Sequence, residues 1–304
     1  MHVIWRRLLF TTLVTSLLAL IYYANQEYHF FSGELPTIDF VLFSLIGIAI
    51  SLYIGFSNNA CYERWWEGRK LWGSQVNYTR TFARQILTLI RAPVTNPLEN
   101  IIDEVKAFQK DLVYRTIALT YALKMFLRSE TNFETQIGSL LPESEINTLT
   151  REKHVPNAIT QTIAEKLNLA IDRGWTNHFY NTVMHNSLTE FTNVFGACER
   201  IFKTPFPIPY RILAHRLVVA YCLSLPFAVV PVWGFFSPFI MLFVSYVYFA
   251  LAAIADELRD PFGIDFNDLA LNAICRTIEI NLRQRLGETD LPEAAKADHD
   301  GLLN

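Results

Sequence analysis

The sequence predicts an all-α chain in which four membrane-spanning helices carry a large helical domain on one side of the bilayer. Three observations predict it. Of the 304 residues, 51% are apolar and only 18% are charged, with a positive mean hydropathy, an unusual balance for a soluble protein of this length. Three uncharged stretches, one of double length, are long enough to cross hydrocarbon, which takes ~20 helical residues at ~1.5 Å each. The long segment between the second and third stretches has apolar residues at helical spacing, with little β-alternation and no internal repeat.

The first stretch is 8–26. It follows Arg6-Arg7, but no small-residue cleavage site follows it, and Tyr22, Tyr23 and Asn25 make an interfacial end. A membrane span fits this pattern better than a signal peptide.

The second stretch is 40–62. Gly47, Ser51 and Gly55 recur every fourth residue and so share one helical face. Small residues at that spacing let membrane helices approach closely, and the expected neighbour is a second copy of the chain. One position round sit Ile48, Leu52 and Phe56, a stripe that faces either a central axis or lipid. The third stretch, 217–255, is too long for one span. Pro226, Pro231, Gly234 and Pro238 punctuate it, which predicts two helices near 212–229 and 236–256 joined by a short turn.

Charge orients these helices. The loop 27–39 holds Glu27, Glu34 and Asp39 with no Lys or Arg, whereas Arg6, Arg7, Arg64, Arg69, Lys70, Arg211 and Arg216 flank the opposite ends. By the positive-inside rule both termini and the middle segment lie on the cytoplasmic side. In that segment, 78–90, 98–127, 159–171 and 176–202 have helical periodicity, with breaks at Ala92-Pro93, Asn96-Pro97, Leu141-Pro142 and Val155-Pro156. Residues 268–286 read as a further helix and 287–304 as a loose polar tail.

The chain lacks the patterns of common catalytic sites. It has no phosphate-binding glycine loop, no HExxH and no nucleophile elbow. Cys61, Cys198, Cys222 and Cys275 are scattered, without a CxxC pair, and read as buried or surface thiols. His178 and His185 lie seven apart on one helical face, an incomplete metal set. A net charge of −3 leaves no footprint for nucleic acid.

The run Glu63-Arg64-Trp65-Trp66-Glu67-Gly68-Arg69-Lys70-Leu71-Trp72-Gly73 resembles the bestrophin signature at the cytoplasmic end of that family's pore helix. Gly196-Ala197-Cys198-Glu199-Arg200-Ile201, with Thr204-Pro205 and Tyr210, His215 and Arg216 beyond it, resembles the start of the third membrane helix in prokaryotic members. Asp260-Pro261-Phe262-Gly263-Ile264-Asp265-Phe266-Asn267-Asp268 resembles the segment after the fourth. The motifs keep the family's order from about Trp5 to Asp268.

The resemblance implies a homopentamer with a central pore. Its hydrophobic neck positions, eight, twelve and sixteen residues before the signature Arg, fall on Phe56, Leu52 and Ile48. A lower constriction falls in 179–183, with Thr182 the direct match. Arg64, Trp65 and Trp66 then anchor the neck helix at the membrane interface. The calcium clasp of animal members maps to Glu257, Asp265, Asp268 and a carbonyl at Asp260, but Ile264, Phe266 and Asn267 replace acidic positions. A calcium site and a helix-capping turn both remain open there.

The expectation is therefore a multi-pass protein of a bacterial inner membrane, self-associating in the lipid bilayer and conducting monovalent ions. Animal members pass chloride and some prokaryotic members pass cations such as sodium; Leu52, aliphatic where animal members carry an aromatic, favours the cation. The expected organisation is 1–62 for two membrane helices, 63–209 for the cytoplasmic domain, 210–257 for two more membrane helices and 258–304 for the acidic segment, helix and tail. The rival expectation is a non-conducting scaffold or sensor whose helical domain binds a partner.

Overall fold

Asp39 starts the central element of the chain. Its Oδ1 accepts from the backbone N–H of Val41 at 2.7 Å and of Leu42 at 3.0 Å, satisfying donors that a helix start leaves orphaned. The computed structural model describes residues 2–29, 37–93 and 99–296. The breaker Asn96-Pro97 and the loop acid Glu34 lie outside them. Among the described residues the secondary structure is helical, without strands.

The helices are α1 (His2–Tyr28), α2 (Phe40–Leu89), α3 (Glu99–Arg128), α4 (Phe133–Ile137), α5 (Glu143–Leu149), α6 (Val155–Asp172), α7 (His178–Lys203), α8 (Ile208–Ser224), α9 (Pro226–Trp233), α10 (Ser237–Glu257) and α11 (Leu271–Arg285), with a 3₁₀ turn at Gly234–Phe236. They form two compact units. The first contains Met1–Trp65 and Pro205–Arg259, the second Trp66–Thr204 and Asp260–Asn304.

Among the described residues, Ile4–Tyr28, α2 and Ile208–Glu257 are the stretches long and apolar enough to cross a membrane. The last doubles back, with α10 packed on α8 and α9. Gly234 turns the chain at φ +50°, a value that suits a residue without Cβ. Pro231 sits inside α9 and cannot donate to the Phe227 carbonyl four residues earlier. The N–H of Ile38 donates to that carbonyl instead, at 3.4 Å. Leu8, Phe43, Ile50, Ile54, Val218, Met241 and Phe249 belong to the first unit's buried core.

The small-residue face of α2 departs from expectation. Gly47 is taken up inside the chain: Tyr248 Oη donates to its carbonyl at 3.0 Å and lies 2.9 Å from Ser51 Oγ. A Cβ on Gly47 would strike Tyr221 Oη, whereas one on Gly55 would meet nothing within 4 Å. Only the Gly55 end of the stripe is left for another chain to approach, because two tyrosines of the α8–α10 hairpin fill the other end.

In the second unit, the expected helix at 78–90 is the last part of α2, which runs unbroken for 50 residues from Phe40. Gly68 and Gly73 do not interrupt it. Gly68 gives room to a ring, since a Cβ there would stand 3.1 Å from Phe262 Cε1. Pro156 lies in the first turn of α6, where a missing N–H costs nothing; His154 caps that turn by accepting the Asn157 N–H on Nδ1 at 3.0 Å. Asn177 caps α7 in the same way through Tyr180 N–H at 2.8 Å. The short helices α4 and α5 were too brief to leave a periodic signal.

The segment 287–304 was expected to be loose, yet Glu288 is fastened to α3 and α11. Its carboxylate accepts from Tyr114 Oη at 2.8 and 3.0 Å and pairs with Lys110 Nζ at 2.9 Å and Arg283 Nε at 2.7 Å. Burial opposes the charged form, but the hydrogen bonds from Lys110, Arg283 and Tyr114 outweigh it and bring the carboxyl down to about 2.

Candidate functional site: two exposed helix faces

The buried positions of α2 in the first unit are Phe43, Gly47, Ile50, Ile54, Ser57 and Cys61, one row at helical spacing. With about 100° of rotation per residue, Ile48, Leu52 and Phe56 fall on the opposite side. They are 58%, 59% and 71% exposed. The three expected neck residues thus share a face that makes no core with their own chain. Asn59 and Glu63 continue that face and are also exposed. Apolar pattern and the family's neck positions both end at Phe56 in the sequence; the helical register extends the stripe into polar residues.

Beyond this face, Arg64 Nε donates to the Arg259 carbonyl at 2.8 Å, tying α2 to the end of α10. Trp65 stacks on Tyr62 with ring centroids 6.3 Å apart. Trp66 belongs to the second unit and is partly exposed.

Thr182 lies on α7 in the second unit. The buried row of that helix is Asn181, Met184, Leu188, Phe191, Val194, Phe195, Cys198 and Ile201. Opposite it, His178, Thr182, Asn186, Thr189, Asn193 and Arg200 form an exposed polar stripe. The hydroxyl of the exposed Thr182 donates to the His178 carbonyl at 2.9 Å. His185 borders the stripe and is half-buried.

The acidic segment after α10 is built as a packing turn. Leu269 N–H donates to the Pro261 carbonyl at 2.9 Å, and Arg128 Nε donates to the Phe262 carbonyl at 3.2 Å. Asp268 folds inward: its Oδ2 accepts from Asp265 N–H at 2.7 Å and occupies the place a Cβ on Gly263 would need. Burial pushes the Asp268 carboxyl up, despite the backbone hydrogen bond that lowers it.

Calcium takes six to eight oxygens. This turn instead exposes Ile264 and Phe266, and the Asp268 carboxylate is taken up by the Asp265 N–H. Among the described residues no group of three or more His, Cys, Asp or Glu is placed to hold a metal ion. With Asp268 engaged and apolar side chains exposed on the turn, these residues do not fit a calcium clasp. Among the described residues the four cysteines are buried and form no disulfide; burial pushes the Cys198 and Cys275 thiols up to about 12, where they are inert.

Comparison with known proteins places these faces in context. The sequence profile described as Bacterial/Fungal Bestrophin protein matches residues 1–284. The voltage-dependent anion channel-forming protein YneE of Salmonella typhi is 37% identical over 251 residues, covering 82% of this chain and 78% of that protein. The voltage-dependent anion channel-forming protein RSc3414 of Ralstonia nicotianae is 36% identical over 255 residues, covering 84% and 80%. The crystal structure of a bacterial bestrophin homolog from Klebsiella pneumoniae superposes with a TM-score of 0.81 at 32% identity, covering 94% of this chain and 99% of that one.

Proposed function

Because the chain belongs to the bacterial and fungal bestrophin family, we propose that it is a membrane ion channel, assembled from five copies around a central pore, that passes small monovalent cations. One observation carries the reading. Ile48, Leu52 and Phe56 stand on the side of α2 turned away from the chain's own core, and Asn59 and Glu63 continue the same line.

In this reading the first unit lies in a bacterial inner membrane, with both termini and the second unit in the cytoplasm. Five copies of the stripe form a neck that gives an ion no replacement for its hydration shell. Such apolar rings gate by dewetting, and nearby polar groups tune which ion enters. Five Glu63 carboxylates beside the neck favour cations over anions. Thr182 contributes a lower, hydroxyl-bearing ring in the second unit. Arg64 holds α2 against the end of α10, with Trp65 and Trp66 at the membrane interface. A second reading is an anion channel, favoured by the names of the relatives, which are called anion channel-forming proteins.

The experiment compares wild type with Ile48→Ala/Leu52→Ala/Phe56→Ala in planar bilayers, after oligomeric state has been checked. Current per channel, or macroscopic current if the wild type is mostly closed, rises if the stripe is the neck. An intact oligomer with unchanged current would send the stripe to the lipid, and no current from either protein would favour a scaffold. The reversal potential under a sodium chloride gradient assigns the sign of the ion.

A further inference from the structure

A basic cavity opens at the end of the first unit where α1 and α8 begin and α10 stops. It has a volume of about 420 Å³ and is lined by Arg211, Ile212, His215, Arg216, Asp256 and Arg259. An inner recess of about 30 Å³ shares Arg211, His215, Asp256 and Arg259 with it and is otherwise lined largely by small and apolar residues, among them Ile54, Ala214 and Ala252. Arg7, from α1, places Nη1 3.3 Å from His215 Nδ1. Since a guanidinium only donates, Nδ1 is the acceptor and a neutral His215 keeps its proton on Nε2, as a donor.

We propose that this cavity binds the phosphate of an anionic membrane phospholipid. Arg7, Arg211, Arg216 and Arg259 bring four guanidiniums to a site where Asp256 is the one carboxylate among the lining residues, and Asp256 is already engaged by Arg259. Guanidinium forks match phosphate oxygens bidentately. Basic pockets between membrane helices on the cytoplasmic side suit anionic headgroups.

The surroundings fit a lipid better than a free ion. Arg211 and Arg216 are exposed beside the exposed apolar side chains of Ile208, Ile212 and Leu213, which suit an acyl chain. Asn58, in the wall of the recess, has a buried Oδ1 with no hydrogen-bond partner among the described residues, an acceptor that a headgroup hydroxyl would satisfy. The inference rests on the membrane reading of this unit and is independent of conduction.

The test titrates the detergent-purified full chain with phosphatidylglycerol, phosphatidylcholine and inorganic phosphate, reading bound lipid by native mass spectrometry and stabilisation by thermal shift. The variants are Arg211→Gln/Arg216→Gln, Asp256→Asn and, as a remote control, Arg285→Gln. Wild type should prefer phosphatidylglycerol to phosphatidylcholine. The double variant should lose that preference by about tenfold or more, Asp256→Asn should bind more tightly and Arg285→Gln should be unchanged. A folding defect would weaken binding in Asp256→Asn as well, so the opposite signs separate the site from damage. Equal binding of the two lipids, or no loss in the double variant, overturns the proposal. Saturation by inorganic phosphate alone, lost in the double variant, keeps the phosphate and overturns the lipid. Failure to insert into phosphatidylcholine vesicles sinks the membrane reading itself; insertion without lipid preference sinks only this site.

Discussion

Tyr248 reaches from α10 to α2 and donates to the Gly47 carbonyl at 3.0 Å. The Tyr221 ring stands beside it, with its centroid 5.1 Å from that of Tyr248 and 5.3 Å from that of Phe43. The glycine is therefore a contact point within the chain, and its missing Cβ is space already used by a buried tyrosine.

Gly47→Ala should destabilise the fold by about 1–3 kcal/mol, the usual cost of overpacking a filled core. Tyr221 is held between two rings and cannot simply swing aside. Adding Tyr221→Phe removes the clashing oxygen and should restore part of the loss. Thermal unfolding in detergent reads both effects; a neutral Gly47→Ala would refute the close approach.

Gly55→Leu should behave differently. Its Cβ position is open within the chain, so the monomer fold should keep its melting temperature. If another copy packs there, native mass in detergent should fall as the oligomer dissociates. Unchanged mass would take the inter-chain contact away from Gly55.

Glu63→Gln removes one charge per chain from the line continued by Ile48, Leu52 and Phe56. Relative cation permeability should fall by about twofold or more, because the fixed field beside the neck is lost. A reversal potential identical to wild type would show that Glu63 does not face the permeating ion.

Glu288 gives a pH dependence with a definite sign. Its folded-state value of about 2 lies below the ordinary 4.5, so the stabilisation is full above about pH 4.5 and is lost as pH falls through 2. Glu288→Gln should cost on the order of 1 kcal/mol near neutral pH and nothing near pH 2. Equal stability of the two proteins at pH 7 would mean that the contacts with Lys110, Tyr114 and Arg283 contribute nothing net.

Uncharged length and helical periodicity made the membrane stretches and most of the long helices legible in the sequence, because burial in lipid and packing of one helix face both impose short-range patterns. They also put Ile48, Leu52 and Phe56 on one line, since register within a helix is local. Three further features depended on groups far apart in the chain. Tyr221 and Tyr248 lie about 175–200 residues after Gly47, so no local pattern announced which neighbour would fill the small-residue face. Glu288 looked like the start of a tail because Lys110, Tyr114 and Arg283 reach it only in the folded chain. Arg7 and Arg211 marked membrane ends in the sequence; only packing brought Arg7 to His215 and set Arg211, Arg216 and Arg259 around one cavity. Local spacing fixes which residues share a helix face, while the packing of distant segments decides what that face meets.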